Sequence, residues 1–322
     1  MTQLRNKTIL ITGGASGIGR IMSRLSLEKN AKVIIWDVNT QNIENTLKDL
    51  NPLGNISSYV VDVSNLVQIQ EAAKKTKDEH GNIDVLINNA GIVVGKYFHE
   101  HTAEEIEKTM MINANAPMHV TSSFLSEMID QNSGHICNIA SSVSLLANPK
   151  MSVYAASKWS VFAWSDSLRL EMKQLNKNIK VTTILPYYIN TGMFDGVKSR
   201  IPILDTEKTA FMIIKAIEKN NKNLNIEIRT EGHTDNLPLP LKLQAKWKSN
   251  WELSTARALN VVTLLSEYSG LPQNKFSAMG YGEFRPLYKN QTIDGRARNR
   301  RVEIYLDAFV TINIEKENLN PL

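Results

Sequence analysis

One cysteine, Cys137, stands among 322 residues. A lone thiol excludes an intramolecular disulfide and a cysteine-ligated zinc cluster. It lies in His135-Ile136-Cys137-Asn138-Ile139, an alternating apolar run, and reads as a buried core thiol rather than a nucleophile. No apolar stretch approaches the roughly 18 residues that a membrane-spanning helix needs. No secretory leader is visible either, so a cytoplasmic protein without a transmembrane segment is expected. The six histidines show no metal-ligand spacing, and no metal site is expected. His99 and His101 flank a loop and read as solvated. Strong charge of one sign is also missing. The net charge of +5 divides into +3 over residues 1–222 and +2 over 223–322. That is too mild a balance to imply nucleic acid.

Against these absences stand Tyr154 and Lys158, in Tyr154-Ala155-Ala156-Ser157-Lys158. Four residues on a helix is one turn, so both side chains share a face. A phenol with a pKa of about 10 is a poor base at neutral pH. A neighbouring ammonium favours the phenolate and lowers that pKa. The pair therefore predicts a general acid/base that moves the proton of an alcohol.

A nucleotide site lies upstream. Lys7 to Thr12 is short, apolar and β-branched, and predicts a buried strand. It runs into Gly13-Gly14-Ala15-Ser16-Gly17-Ile18-Gly19, and Arg20 to Glu28 predicts a helix. Strand, glycine turn and helix set backbone N–H groups and a helix dipole against a pyrophosphate. The next strand, Lys32 to Trp36, ends at Asp37, where a carboxylate accepts hydrogen bonds from the adenosine ribose. A carboxylate there repels a 2′-phosphate, so NAD is expected rather than NADP. The alternative, a glycine-rich structural turn beside a surface Asp, does not account for strand, helix and Asp37 together.

These residues resemble the short-chain dehydrogenase/reductase family over roughly residues 4 to 220. Thr12 through Gly19 looks like its Thr-Gly-x-x-x-Gly-x-Gly cofactor motif. Asn88-Asn89-Ala90-Gly91 resembles its Asn-Asn-Ala-Gly element, and Ser141 precedes Tyr154 by the family spacing. The resemblance implies a catalytic set of Asn113, Ser141, Tyr154 and Lys158. Tyr154 is the acid/base, and Lys158 lowers its pKa and holds the nicotinamide ribose. Ser141 bonds the substrate oxygen, and Asn113 holds a water in the proton relay. Cofactor contacts are implied for Gly13, Ser16, Gly17, Ile18, Gly19, Asp37, Asp62, Asn89, Tyr154, Lys158, Pro186 and Thr191. Pro186-Tyr187 replaces the usual Pro-Gly and narrows the nicotinamide end of the pocket. Ile34 through Asn39, Ile83 through Gly91 and Pro186 through Phe194 are most similar to the 17β-hydroxysteroid and retinol dehydrogenase branch, which implies a lipophilic alcohol or carbonyl substrate. That branch often has an N-terminal membrane anchor. Here the chain starts directly at the first strand, and none is expected. The apolar segment 192–205, with Met193, Phe194, Val197, Ile201, Ile203 and Leu204, fits such a substrate. It fits core cover or a dimer interface equally. The resemblance also implies a homo-oligomer, since that family usually associates through its long helices, here near 103–131 and 152–175.

Near Asn225 the composition changes. Gly232-His233-Thr234-Asp235-Asn236, Leu253-Ser254-Thr255-Ala256-Arg257-Ala258 and Asn299-Arg300-Arg301-Val302-Glu303 are similar to the OmpA-like peptidoglycan-binding domain, over roughly 224 to 306. The version in flagellar motor stator proteins of the MotB kind is the most similar. The resemblance implies that Asp235 and Arg257 grip the zwitterionic diaminopimelate of the cell-wall peptide. The cluster Arg296, Arg298, Arg300 and Arg301 either assists or forms a solvated helix end and strand face. Trp247 and Trp251 read as packing anchors. The strand and helix that open that family's fold are not visible. The stripe Ala210, Ile213, Ile214 and Ile217 offers a substitute helix. Peptidoglycan lies outside the cytoplasmic membrane, so the two halves imply different compartments.

The chain thus predicts two domains, 1–222 and 223–322. The first is a Rossmann-type doubly wound parallel α/β sheet, and the second is a small, N-terminally truncated α+β OmpA-like domain. Leu224 to Arg229 is expected to supply the last strand of the first sheet. The expected function is NAD-dependent interconversion of an alcohol and its carbonyl, and the OmpA-like resemblance implies peptidoglycan as a second partner. Two alternatives stay open. One is a non-catalytic peptidoglycan-binding protein with a vestigial dehydrogenase domain. The other is a cofactor-binding scaffold without turnover.

Overall fold

Thr8–Thr12 is apolar, β-branched and wholly buried, and forms strand β1. The computed structural model describes residues 2–145, 148–190, 203–219, 225–269 and 273–309. The chain divides into two compact units, Met1–Lys222 and Asn223–Leu322.

In the first unit, strands and helices alternate. After β1 come α1 (Gly17–Glu28), β2 (Lys32–Asp37), α2 (Thr40–Leu50), β3 (Ile56–Val60), α3 (Leu66–His80) and β4 (Val85–Asn88). Then follow α4 (Ala103–Met110), α5 (Ala116–Asp130), β5 (Gly134–Ile139), α6 (Ser152–Gln174), β6 (Ile179–Ile184) and α7 (Thr206–Lys219). The six strands form one parallel sheet in the order β3-β2-β1-β4-β5-β6. Successive residues of β1 serve opposite faces, as the two-residue period of a strand requires. Ile9 and Ile11 pack with Met22 and Leu27 of α1 and Ile213, Ile214 and Ile217 of α7. Leu10 joins Trp36, Ile69, Phe124 and Leu168 on the other side. A sheet covered on both faces needs apolar residues at every position, which explains the unbroken run at β1.

Two expectations are corrected here. Asn225–Gly232 forms β7, but it does not extend the first sheet. It is the central strand of a second, three-stranded sheet, lying between Phe276–Gly280 and Val302–Phe309. Leu224 lies outside the described residues. Also, the stripe Ala210, Ile213, Ile214 and Ile217 of α7 is spent in the first unit's core, so α7 is not a free substitute helix.

The second unit holds β7, α8 (Leu241–Gln244), α9 (Asn250–Ser269), β8 (Phe276–Gly280), α10 (Ile293–Asn299) and β9 (Val302–Phe309). β7 pairs parallel with β8 and antiparallel with β9. α9 lies on this sheet, and Thr230 Oγ1 donates to Ala258 O at 3.0 Å, joining β7 to the helix. The mixed sheet with its helix matches the expected α+β class.

His135 shows what burial costs. Its ring bonds with Thr2 Oγ1 at 3.1 Å and Thr182 Oγ1 at 2.8 Å, and only 1% of the residue is exposed. Burial, aided by Lys180 and the N-terminus, pulls its pKa down to about 3. The folded chain therefore favours the neutral ring. That contribution is complete above about pH 6.5, where the unfolded ring is also neutral. It is lost as pH falls from there toward about 3, at up to about 1.4 kcal/mol per pH unit. Urea unfolding across this window should show a steeper loss for the wild type than for His135→Gln. Parallel slopes would refute the assignment.

Candidate active site

The strand order reverses between β1 and β4, and there the ends of both strands are tied together. Thr12 Oγ1 accepts from Asn89 N at 3.0 Å and Ala90 N at 3.1 Å. Asn89 Nδ2 donates to Thr12 O at 3.0 Å and Gly13 O at 3.1 Å. In a doubly wound sheet, the crevice at such a reversal is where ligands bind.

The glycine loop enters α1 at this crevice. Gly13 has φ +63°, the left-handed region that glycine tolerates best. A Cβ on Gly19 would stand 2.0 Å from Gly13 O, so this close pass of chain over chain needs glycine. Ser16 caps α1 without a side-chain bond to the first turn. The first N–H groups of the helix are then left for a ligand's oxygens. Asp37 ends β2 nearby. Its two carboxylate oxygens accept from Ala15 N at 3.1 Å and Asn39 N at 3.0 Å. An ionised carboxylate has about four acceptor sites, so each oxygen keeps capacity for a ribose hydroxyl. Asp62 accepts from Ser64 N at 2.9 Å and Ser64 Oγ at 2.7 Å.

Beyond β5 and β6 the two segments stay paired. Ala140 N donates to Ile184 O at 2.8 Å, and Ser142 N to Pro186 O at 2.9 Å. This sets Ser141 beside Pro186, with Ser141 Oγ 3.4 Å from Pro186 O. From α6, Tyr154 reaches Ser141 and shares a side-chain hydrogen bond with it. Lys158, one turn on, is buried, and its Nζ donates to Ile139 O at 2.8 Å.

The electrostatics depart from expectation. Burial pushes the Tyr154 phenol up to about 12; the bond from Ser141 opposes this, and Tyr188 adds to it. Burial also pulls Lys158 down to about 8. In the chain alone the ammonium is itself disfavoured, so desolvation rather than Lys158 governs the phenol.

Asn113 sits at the centre of a π turn, Met111–Asn115, which interrupts the expected helix 103–131 between α4 and α5. Such a widened turn often marks a functional residue. Asn113 Oδ1 accepts from Ile92 N at 2.8 Å, and Nδ2 donates to Ile92 O at 2.8 Å and Ser157 Oγ at 3.1 Å. Ser157 in turn donates to Tyr154 O at 2.7 Å. A Cβ on Gly91 would fall 3.2 Å from Asn113 Oδ1 and 3.4 Å from Lys158 Nζ.

One cavity of about 490 Å3 unites these parts. Gly13, Ser16, Gly17, Ile18, Gly19, Asn89, Ser141, Tyr154, Lys158 and Pro186 line it. Ile92, Val93, Val143, Tyr187 and Tyr188 give it an apolar side. Asp37, Asp62 and Asn113 are not among its lining residues. Thr191 lies outside the described residues, as do Met193, Phe194, Val197 and Ile201. Ile203 and Leu204 are described and exposed, and Leu204 bridges to Ile189. Sequence reasoning missed Ser157 as the link from Asn113 to Tyr154, because its partner is 44 residues away. His101 is corrected too. Its side chain is buried, 3.9 Å from Glu105 Oε2, rather than solvated.

In the second unit, Asp235 is buried where β7 ends. It pairs with Arg300 at 2.5 Å. Arg257 is half-buried, and its pKa is lowered by burial and by Arg300, against the pull of Asp235. Of the four clustered arginines, Arg300 alone contacts Asp235 among the described residues. Arg296 bonds Asn290 O, Arg298 pairs with Asp294, and Arg301 with Glu303. Trp251 is no packing anchor. It is 49% exposed and stacks on Phe284, which is 65% exposed. Glu231, His233 and Glu303 bring ligand atoms within 4.8 Å of one another. Both carboxylates are already answered by Arg229, Arg285 and Arg301. No helix among the described residues is long and apolar enough to cross a membrane.

Comparison with known proteins accords with both sets of motifs. The short chain dehydrogenase family matches residues 7–201, and the OmpA family matches 193–300. Retinol dehydrogenase 10-B of Danio rerio is 34% identical over 219 residues, covering 61% of this chain and 65% of that one. This chain therefore spans a little under two thirds of that relative's length. Epidermal retinol dehydrogenase 2 of Homo sapiens is 34% identical, covering 65% of this chain and 70% of the relative. The crystal structure of a short chain dehydrogenase/reductase from Burkholderia phymatum, in complex with NAD, superposes with a TM-score of 0.59. It is 25% identical, covering 68% of this chain and 81% of that one. The chain belongs to the short-chain dehydrogenase family, and an OmpA-family domain follows at its C-terminal end.

Proposed function

We propose that the first unit interconverts an apolar alcohol and its carbonyl compound with NAD as hydride partner. One observation carries this reading. Ser141, Tyr154 and Lys158 converge in a single cavity with the glycine loop. A bound nicotinamide supplies the hydride chemistry. The residues fit such a group, since the Gly13–Gly19 pass leaves no room for a side chain and Asp37 offers acceptors at the ribose end. Asn89, Pro186 and Lys158, which line the cavity, would hold the nicotinamide half, and Asp62 the adenine.

Each residue of the chain has a distinct task. Ser141 donates to the substrate oxygen. Tyr154 gives up its proton to that oxygen in reduction and takes one from it in oxidation. Together they stabilise the charge that develops there. Lys158, whose proton is loosely held at a pKa of about 8, exchanges protons with the relay. Asn113 fixes the loop after β4, and Oδ1 retains a second lone pair for a water in that relay. The apolar wall of Ile92, Val93 and Val143 favours a lipophilic substrate.

The cofactor choice has a direct test. Titration of the full-length protein should give NAD at least about tenfold tighter binding than NADP, and Asp37→Ala should shrink that gap. A carboxylate facing a 2′-phosphate costs roughly 1.4 kcal/mol or more, which is tenfold. Equal affinities would refute the role of Asp37.

A second reading concerns the second unit, where Asp235 and Arg257 sit at one site. We propose that they take the amine and carboxylate of a peptidoglycan stem peptide, with Arg300 holding Asp235 in place. Sedimentation with purified peptidoglycan should capture the full-length protein. Asp235→Ala and Arg257→Ala should each weaken capture about tenfold or more, the scale of a lost charge-assisted pair. Undiminished capture would refute the site.

A further inference from the structure

A second phenol lies beside Tyr154. Tyr188 lines the same cavity, and its ring packs with Val143, Met151 and Tyr154. It stands edge-on to Tyr187, with ring centroids 4.6 Å apart. Two attachments fix it. Asn148 Nδ2 donates to the Tyr188 hydroxyl at 3.3 Å. In the main chain, Leu204 N donates to Tyr188 O at 2.8 Å, next to the Ile189–Leu204 bridge. The ring is thus held at its tip and at its root. A ring held at both ends yields less to added volume than a free one.

A carbinol carbon has four directions to satisfy. Its oxygen must face Ser141 and Tyr154, and its hydrogen must face the cofactor. Two substituents remain, and Tyr188, packed against Tyr154, lines the cavity that must admit them. The cavity of about 490 Å3 also spans the glycine loop, so the cofactor takes much of it.

Resting on the dehydrogenase reading, we propose that Tyr188, clasped by Asn148, is the specificity-determining residue of the site. It limits the substrate to alcohols with one slim side, primary alcohols or methyl carbinols, on an apolar body. A rigid pocket commonly separates substrates by roughly 10- to 200-fold for a methylene-scale misfit.

The test compares kcat/KM for decan-1-ol and for dicyclohexylmethanol with NAD. Wild-type protein should favour decan-1-ol. Tyr188→Ala should shift the ratio toward the bulky alcohol by about tenfold or more. Tyr188→Phe, which keeps the ring, should hold the ratio within about twofold. Asn148→Ala, which frees the ring, should move it partway. NAD titration of every variant shows that each has folded. An unmoved ratio in Tyr188→Ala, with both alcohols changed by one common factor, overturns the role of Tyr188 and leaves the enzyme reading intact. Wild-type protein that binds NAD but oxidises no alcohol, with Tyr154→Phe indistinguishable from it, overturns the dehydrogenase reading and this inference with it.

Discussion

Tyr154→Phe is expected to lower kcat for alcohol oxidation by about a thousandfold while NAD binding changes by less than about twofold. Positioned acid/base groups contribute about 10²–10⁴ in rate. The substitution removes one oxygen from a buried site and leaves the ring's packing against Val143 and Met151 in place. The pH profile separates chemistry from mere packing. Burial holds the phenol near 12, so at neutral pH it is protonated and ready to donate, as carbonyl reduction requires. Oxidation requires the phenolate, so the wild-type oxidation rate should climb with pH through the alkaline range. In Tyr154→Phe that climb should be absent. Steady-state rates between pH 6 and 10 would check this, and an unchanged kcat would remove Tyr154 from the mechanism.

Gly19→Ala should abolish measurable NAD binding, weakening it by about a hundredfold or more. The new Cβ would meet Gly13 O at 2.0 Å, and backbone cannot swing aside as a flexible side chain can. The loop has to open, which pulls Gly13 away from Asn89 and spoils the cradle. A loss of about 2.7 kcal/mol is a hundredfold in affinity, and overpacking typically costs about 1–3 kcal/mol or more. Isothermal titration would read the loss directly. Circular dichroism should show the fold retained with a melting temperature lowered by only several degrees, since about 1 kcal/mol shifts a domain of this size by about 2–4 °C. Retained affinity would mean that the cofactor binds elsewhere.

Much of the first unit was legible because its signals are local. Lys7 to Thr12 has no polar side chain except at its ends and so announces a strand covered on both faces. The glycine turn, Asp37 and the Tyr154–Lys158 pair each depend on spacing along one chain segment. What spacing could not show was the field. Lys158 was expected to lower the Tyr154 phenol, yet desolvation of both groups dominates, because burial is a property of the packed whole. His101 failed for the same reason. A histidine in a loop reads as wet until neighbours close over it. Trp251 failed in the opposite sense, since a tryptophan on a helix reads as core unless the helix turns it outward.

The C-terminal end divides in the same way. The sequence alone determined that a second family's motifs follow the dehydrogenase, that Asp235 and Arg257 belong to them, and that one cysteine leaves the fold to packing. Only the tertiary structure decided where Asn225–Gly232 pairs, because strand partners are chosen by distant segments such as Phe276–Gly280 and Val302–Phe309. It alone decided that α7 spends its apolar stripe on the core of β1 and α1. It also picked Arg300 from four arginines as the partner of Asp235. A stripe or a charge is written in the residues, but what it faces is settled by the chain's return from far away, and no local pattern records that.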